Sequence, residues 1–306
     1  MEVRPLPDYL QKVVENELNE VPSRVSDDIR AIKEWLAKQP HLNACTDDQW
    51  ILMFLRGCKF RLQTVKEKME EFYLLRTIMS DYFDDRDPLL PEIQELLSRQ
   101  IILPLPVNKN GPQVFILRTD EGDINTLPLK AILKGGIMML DMVMKENDHM
   151  VLGQYIIFDL EQLQYAYISQ LTPLMIRMLV RGLQNAYPTR PKGFFVLNAP
   201  PVLKTVFDLT YPLLNKKMAN RIHFYTKDNM EELTKLIPYE ILPKEYGGGG
   251  DSIETIRVEW KQKMEDYREW FVNSSKYRVD ESKKIKNCHL ENAAETEGSF
   301  RKLEID

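Results

Sequence analysis

Two short clusters of basic residues lie on either side of a strongly apolar stretch in the second half of the sequence. Arg190 and Lys192 precede this stretch, and Lys217 and Arg221 follow it. Lysine and arginine side chains bind phosphate groups, and arginine does so with a bidentate fork. Apolar residues flanked by fixed positive charge are typical of a surface that opens at a membrane. The alternative is a buried βα unit with solvated lysines at its rim, and composition alone favours this alternative.

A second group of residues could carry out acid–base chemistry. Asp159 and Glu161 follow a predicted strand, where the carboxylates of α/β enzymes often lie, and His223 is near Arg221. The simpler interpretation is that the carboxylates cap local backbone amides and that the histidine is packed. The sequence has no Gly-x-Ser-x-Gly, no His-Glu-x-x-His and no Gly-x-Gly-x-x-Gly after a strand. We therefore expect a protein that is not an enzyme and has no catalytic residue, metal or cofactor.

Length and composition indicate a soluble protein with one large domain and one smaller domain. The chain has 306 residues and a net charge of −5, which argues against bulk binding of nucleic acid. Its longest apolar runs fall short of the ~20 residues needed to span a bilayer, and it shows no secretory signal. Its three cysteines, Cys45, Cys58 and Cys288, are too few and too far apart for a disulfide framework. We expect a cytoplasmic location.

Helical patterns dominate the first 95 residues and predict a small helical bundle. Thr46 and Gln49 form a capping box that would begin one of its helices. After residue 95, strand and helix patterns alternate, which predicts an α/β domain with a mainly parallel sheet. The end of the chain predicts an amphipathic docking helix and then a polar, flexible tail. The expected domains are residues 1–95, 96–250, 251–272 and 273–306.

Short apolar runs predict the strands of the sheet, at 101–105, 114–118, 153–160, 193–197 and 222–225. Residues 127–145 form a helix with almost no polar face, which indicates burial on most sides. The pair Gly135–Gly136 in its middle costs stability and favours a place where another backbone or a ligand comes close. Asp228 is expected to cap a further helix near the end of this domain.

Four segments of the sequence resemble motifs of the CRAL-TRIO lipid-binding family, in the branch of the α-tocopherol transfer and cellular retinaldehyde-binding proteins. Residues 54–60 (FLRGCKF) are similar to the family's FLRARKF, and 157–161 (IFDLE) to its IFDLEG strand. Residues 185–200 resemble its DAYPxRxKxIHxIN-P segment, and 242–248 (LPKEYGG) resemble its LPxEYGG ending. In order and at family spacing, the four segments cover roughly residues 25–270. Two positions depart from the family pattern: Cys58 replaces an arginine, and Gln162 replaces a glycine.

The resemblance implies an N-terminal helical domain followed by an α/β domain that encloses an apolar cavity. It also implies that the segment 201–214 is a mobile gate over this cavity, which makes the membrane-facing interpretation the better one. In this family, a basic cleft binds phosphoinositide headgroups. We also expect the protein to be a monomer. The basic residues at matching positions are Arg56, Lys59, Arg190, Lys192, Lys217 and Arg221.

The resemblance further implies a set of residues that contact the ligand. Gly136 and Leu140 stand where the tocopherol carrier has small hydroxyl residues, which removes a polar contact. A retinoid, tocopherol, carotenoid or another long lipophile would suit the cavity, and so would a phospholipid. The expected lining residues are Leu133, Gly136, Ile137, Leu140, Phe158, Leu183, Phe194, Val196 and Phe207.

Three functions therefore stay open from the sequence. The first is a soluble carrier that exchanges one lipophilic molecule at phosphoinositide-containing membranes. The second is a phospholipid transfer protein or a lipid-sensing adaptor whose C-terminal tail binds proteins. The third is an α/β enzyme acting on a lipid or phosphate ester through Asp159, Glu161 or His223.

Overall fold

A computed structural model of the protein describes residues 3–109, 111–225 and 235–283. Helices from the first third of the chain pack beside a five-stranded sheet, which carries further helices. The helices are α1 (Asp8–Leu18), α2 (Val25–Ala37), α3 (Asp48–Gly57), α4 (Leu62–Ile78), α5 (Ser80–Phe83), α6 (Pro91–Ser98), α7 (Leu129–Glu146), α8 (Tyr165–Ser169), α9 (Pro173–Arg181), α10 (Leu203–Thr210), α11 (Lys216–Ala219), α12 (Ile253–Asp266) and α13 (Arg268–Ser274). The strands are β1 (Leu42–Asn43), β2 (Ile102–Pro104), β3 (Gln113–Arg118), β4 (Gln154–Asp159), β5 (Pro191–Leu197), β6 (Ile222–Tyr225) and β7 (Arg278–Val279).

The main sheet has the strand order β2-β3-β4-β5-β6. Strand β2 is antiparallel to β3, and the other neighbouring pairs are parallel. Ile116, Ile157 and Phe195 face one side of the sheet, where they form a core with residues of α12. The alternate residues of the same strands face the other side, because successive side chains in a strand point in opposite directions. The prediction of a helical N-terminal region and an α/β domain with a mainly parallel sheet is confirmed.

Aromatic packing joins the N-terminal helices to the rest of the chain. Trp50 on α3 packs edge-on against Phe72 on α4, with ring centroids 5.9 Å apart, and Phe72 packs in the same way against Tyr187 at 5.2 Å. Helix α3 begins after Asp47, whose carboxylate accepts a hydrogen bond from the Trp50 backbone N–H. The predicted cap at Thr46 is therefore wrong by one residue.

The glycine pair in α7 serves two different contacts. A Cβ atom on Gly135 would lie 2.1 Å from Leu96 Cδ2, so a residue without a side chain lets α6 pack closely here. A Cβ atom on Gly136 would lie 3.2 Å from Ile102 Cδ1, the end of a flexible side chain that also lines the cavity, so a small shift of Ile102 would admit a side chain here. Helix α6 spans the boundary predicted between residues 95 and 96 and packs on α7. The division into domains therefore stays a prediction.

The C-terminal residues as far as 283 are part of the fold. The helical segment predicted over 251–272 is divided at Tyr267 into α12 and α13. Strand β7 then pairs antiparallel with β1, and the guanidinium of Arg76 donates hydrogen bonds to the carbonyls of Ser274 and Tyr277. Residues 273–283 thus contain a helix end and a paired strand, and a flexible tail from residue 273 stays a prediction. Residues 284–306 and the helix predicted at Asp228 lie outside the described residues.

Within the described parts of the chain, no helix combines the length and the apolar character that crossing a bilayer requires.

Candidate functional site

An apolar cavity of about 370 Å³ lies between α7, α9 and one face of the sheet. This volume falls within the range of small-molecule sites in proteins. The lining side chains are apolar, apart from those of Gln154, Tyr187 and Thr189. Of the residues predicted to line it, the structure brings together Leu133, Gly136, Ile137, Leu140, Phe158, Leu183 and Phe194.

Helix α7 forms one wall of the cavity. Leu133, Gly136, Ile137 and Leu140 follow helical spacing, so they share one face of the helix, and this face meets the cavity. Asp141 lies on an adjacent face and is fully buried among the N-terminal helices. This division explains how a helix that is apolar nearly all round can serve both the cavity and the core.

The sheet forms the opposite wall. Side chains at alternating positions reach the cavity from the three central strands: Phe115 and Leu117 on β3, Ile156 and Phe158 on β4, and Phe194 on β5. The parallel register sets Ile156 opposite Phe115 and Phe194, so a continuous apolar surface crosses the sheet.

Part of the wall comes from the N-terminal helices, which sequence reasoning missed. Leu75 on α4, Met79 after it and Phe83 on α5 all line the cavity. Their helical spacing was visible in the sequence, but spacing alone does not tell which neighbour an apolar face will meet. Helix α9 contributes Met178 and Leu179.

Two residues predicted to line the cavity do not do so. Val196 is buried on β5, two residues after Phe194. It lies opposite Phe158 of β4 on one side and Phe224 of β6 on the other. Phe207 on α10 packs edge-on against Phe224, with ring centroids 4.7 Å apart. The lining set therefore stops before the carboxyl end of β5, and Phe207 belongs to a surface aromatic pair.

The gate segment, defined as residues 201–214, lies outside the cavity. Helix α10 packs against α9, and α9 in turn lines the cavity. Apolar side chains of this segment face outward, since Leu209 is 49% exposed and Tyr211 is 55% exposed. Phe224 on the neighbouring strand is 52% exposed. Together they form an exposed apolar surface, a feature that often marks an interaction site.

Five of the six cations predicted to bind phosphoinositides lie close together. The pKa of Lys217 is lowered, and burial is the largest cause. The positive charges of Arg221, Lys59, Arg190 and Lys192 each lower this pKa further. Such an effect requires these positive charges to be near one another. The set Lys59, Arg190, Lys192, Lys217 and Arg221 is called the basic cluster below.

Backbone contacts hold the basic cluster in place. Lys59 follows α3 with a left-handed φ of 55°, and a Cβ atom on Gly57 would lie 2.2 Å from the Pro188 carbonyl oxygen. This close approach brings the end of α3 against the loop that carries Arg190. The Arg190 guanidinium donates a hydrogen bond to the Val151 carbonyl at 2.8 Å.

One acidic side chain faces the cluster. Arg190 lies 3.7 Å from the carboxylate of Glu17. The pKa of Lys192 is lowered, with burial as the largest cause. The charge of Arg190 lowers this pKa further, whereas Glu17 raises it. The guanidinium of Arg221 donates to the carbonyl of Pro191, which ties it to the first residue of β5.

Arg56 does not join the basic cluster, which corrects the prediction for this residue. It is 6% exposed, and its guanidinium makes two contacts with the carboxylate of Glu20. The neighbouring Cys58, which replaces a family arginine, is also buried, and burial raises the pKa of its thiol to about 11. Of the two cations in residues 54–60, only Lys59 therefore joins the cluster.

The residues considered for acid–base chemistry have structural partners instead. Asp159 accepts hydrogen bonds from the hydroxyl of Tyr246 at 2.6 Å and from the Asn198 side-chain amide at 3.2 Å. Glu161 is exposed, and His223 is exposed with its ring stacked on Phe195 at 5.6 Å. These contacts match the simpler interpretation, in which the residues hold loops and strand ends.

Comparison with known proteins adds sequence relationships to this geometry. Residues 99–248 match the model of the CRAL/TRIO domain, and residues 21–93 match that of a Pinta-like UBA domain. Alpha-tocopherol transfer protein-like from Homo sapiens is 26% identical over 241 residues, which cover 78% of this chain and 70% of that protein. Clavesin-2 from Rattus norvegicus is 28% identical over 276 residues, covering 90% of this chain and 83% of that protein.

A crystal structure of Sfh5 aligns with 85% of this chain and 98% of its own, at 12% identity and a TM-score of 0.48, which is too low to support a conclusion. The sequence match over 99–248 includes the sheet, α7 and α9, which form most of the cavity wall. Residues 99–248 of this chain therefore form a CRAL/TRIO domain, the family that the sequence motifs indicate.

Proposed function

We propose that the protein carries one hydrophobic small molecule in the cavity and exchanges it at phosphoinositide-containing membranes. The observation that carries this proposal is the apolar cavity of about 370 Å³. Burial of a ligand's apolar surface contributes ~25 cal/mol per Å², which is enough for tight binding without many polar contacts. The clavesin and tocopherol transfer-like relatives support the same class of function.

The size of the cavity favours a compact lipophile, such as a retinoid, a tocopherol or a carotenoid fragment. A volume of about 370 Å³ lies at the lower end of the ~300–1,000 Å³ range of small-molecule sites. A phospholipid with two acyl chains would need considerably more space. Transfer of phospholipids therefore ranks behind transfer of a compact lipophile.

The membrane step is supported by the exposed apolar residues of the gate segment and by the basic cluster. Leu209 and Tyr211 can enter the interfacial region of a bilayer, and several lysines and arginines can bind phosphate groups nearby. Like charges held together repel one another, and a polyphosphate headgroup would relieve this repulsion. Movement of 201–214 would then open a route past α9 into the cavity. The protein would act in the cytoplasm and contact membranes only transiently.

The contacts of the carboxylates considered for catalysis support a non-enzymatic role. Asp159, held by Tyr246 and Asn198, is poorly placed to move a proton to or from a substrate. Its replacement by Asn should leave lipid binding intact. Turnover of a lipid ester that disappears in Asp159→Asn, with the fold preserved, would instead support the enzyme hypothesis.

The direct test is to extract the purified protein with solvent and identify any stoichiometric lipid by mass spectrometry. The matched variant is Gly136→Leu, which places a side chain in the cavity and replaces a helical glycine. We expect this variant to retain less than a tenth of the lipid. Its melting temperature should not fall, because leucine in a helix is ~0.8–1 kcal/mol more favourable than glycine. Repeated empty preparations that also fail to bind added retinol or α-tocopherol would overturn the proposal, and a two-chain phospholipid would support the alternative.

A further inference from the structure

The C-terminal end of α1 lies against the basic cluster. The carboxylate of Glu17 lies 3.7 Å from the guanidinium of Arg190. Asn19 follows the helix in a left-handed conformation, and its side-chain amide donates a hydrogen bond to the Lys59 carbonyl at 3.3 Å. Two members of the cluster are therefore in contact with this end of α1.

Apolar packing fixes α1 in this position. One face of the helix is buried against Val151, and the residues of this face are Leu10, Val14 and Leu18. The guanidinium of Arg190 donates a hydrogen bond to the carbonyl of the same Val151. The backbone of Glu17 and the side chain of Arg190 are thus held next to each other by one shared neighbour. The Glu17 side chain itself is 53% exposed, so it remains free to turn away.

The contact between Glu17 and Arg190 is weak enough to be replaced. Its length of 3.7 Å exceeds that of a hydrogen bond, and ion pairs at an exposed surface contribute little to stability. A phosphate monoester carries nearly two negative charges and three strong acceptor oxygens, so it binds a guanidinium more strongly than a carboxylate does. A phosphate that reaches this end of the cluster can therefore take the place of Glu17.

The charge of Glu17 acts on more than one member of the cluster. The pKa of Arg190 is lowered, mainly by burial, and the charge of Glu17 opposes this shift. Glu17 also opposes the lowering of the Lys192 pKa, for which burial is again the largest cause. A headgroup phosphate must bind here either after the carboxylate has moved away or against its repulsion. Both courses lower the affinity for the phosphate.

We infer that Glu17 is a built-in competitor for phosphate: it occupies Arg190 in the free protein and gives way when a phosphate monoester binds. This inference rests on the proposed function and adds a residue that sets the strength and the lifetime of the membrane contact. A carrier has to leave the membrane after each exchange, and unopposed cations would prolong its stay on an anionic surface. Glu17 weakens this attachment without removing any cation from the cluster.

The test compares the wild-type protein with Glu17→Gln, which removes the charge and keeps the shape of the side chain. One probe is a phosphatidylcholine vesicle with or without phosphatidylinositol bisphosphate, and the other is soluble inositol trisphosphate. Dissociation constants are measured for both probes, and dissociation rates for the vesicles. The matched control is Glu15→Gln, because Glu15 is exposed on the same helix, accepts a hydrogen bond from Gln11 and gives the same change in net charge.

We expect Glu17→Gln to bind both the phosphoinositide vesicles and inositol trisphosphate about threefold to fivefold more tightly, the range of an exposed ion pair. Its dissociation from these vesicles should slow to a similar extent, and the gain should shrink at high salt. Binding to plain phosphatidylcholine vesicles and the affinity for the hydrophobic ligand should not change. Glu15→Gln should behave as the wild type does.

Three results would overturn the inference. Unchanged or weaker binding in Glu17→Gln would mean that the carboxylate orients Arg190 and does not compete with phosphate. Equal gains in Glu15→Gln would assign the effect to net charge, and a gain with vesicles but not with inositol trisphosphate would assign it to repulsion from the bilayer surface. Failure of both the wild type and Glu17→Gln to bind either probe would instead count against the membrane step of the proposed function.

Discussion

Arg56 and Glu20 form a buried ion pair with two contacts, Nε to Oε2 at 2.8 Å and Nη2 to Oε1 at 3.2 Å. The pair joins α3 to the segment that follows α1, and both side chains are nearly inaccessible to solvent. An arginine held in this way has no free face for a phosphate group. Its place in the family's FLRARKF motif therefore reflects a structural role in this chain.

Replacement of Arg56 by alanine should destabilise the protein by about 3–5 kcal/mol, because Glu20 would remain as a buried charge without a partner. Urea unfolding would measure this loss. The double variant Arg56→Met with Glu20→Leu should recover most of it, since apolar residues of similar volume can replace a buried pair. An Arg56→Ala protein of normal stability that binds phosphoinositide vesicles poorly would contradict the structural role.

The ion pair of Arg56 illustrates which features of this protein its sequence predicts and which it does not. The strands and the buried helix α7 were predictable, because apolar periodicity reports directly which faces of an element are buried. The cavity residues on α7 and the sheet were found through the family resemblance. The pairing of Arg56 with Glu20 was not predictable, since a motif does not tell which distant carboxylate will meet a basic residue.

The limits of the predicted cavity have a similar cause. Leu75 and Phe83 were missed because an amphipathic helix shows that one face is buried without showing against what. Phe207 was included as part of a gate that would cover the cavity, yet it packs on Phe224 at the surface. Both errors concern how elements are arranged in space, which is decided by tertiary packing.

The basic cluster should govern binding to phosphoinositide membranes. Lys192→Ala and Lys217→Ala are the best variants, because Arg190 and Arg221 also donate hydrogen bonds to the backbone. Each change should weaken binding to vesicles containing phosphatidylinositol bisphosphate about fivefold, since each nearby cation contributes about 1 kcal/mol. Vesicle sedimentation at two salt concentrations would measure this effect, which should shrink at high salt.

A matched control for the cluster is Lys263→Ala. Lys263 is exposed on α12 and lies 4.4 Å from the ring of Trp260, away from the cluster. It should bind vesicles as the wild type does. The affinity for the hydrophobic ligand should be nearly unchanged in all three variants. If ligand affinity collapses in Lys217→Ala, the cluster and the cavity are not separate sites.

The exposed apolar surface of the gate segment should control transfer rather than ligand affinity. Leu209→Glu places a charge on a side chain that is 49% exposed, so the fold should tolerate it. We expect vesicle-to-vesicle transfer to slow at least tenfold, because insertion of a leucine into the interface is worth about 1.5–3 kcal/mol. Val258→Glu on α12, 51% exposed, is the control. Equal transfer rates for the two variants would exclude 201–214 from the membrane contact.

Arg76, Asp141 and Arg86 form a buried triad between the N-terminal helices and α7. Among the contacts that join these elements, its disruption should destabilise the protein most. Asp141 Oδ2 lies 2.8 Å from the Arg86 guanidinium and 3.4 Å from that of Arg76, and all three side chains are almost completely buried. Asp141→Asn keeps the shape but leaves two buried guanidinium groups without a counter-charge. We expect a loss of about 3–5 kcal/mol in the free energy of unfolding.

Ligand affinity should fall with stability in Asp141→Asn, because Asp141 is adjacent in α7 to Leu140, which lines the cavity. Urea unfolding and ligand titration of the same preparation would test both effects. Asp148→Asn provides the comparison, since its ion pair with Arg4 is partly exposed and should contribute less than about 1 kcal/mol. Equal, small losses for the two variants would mean that the triad contributes no more than a surface ion pair, and that α7 is held mainly by its apolar contacts.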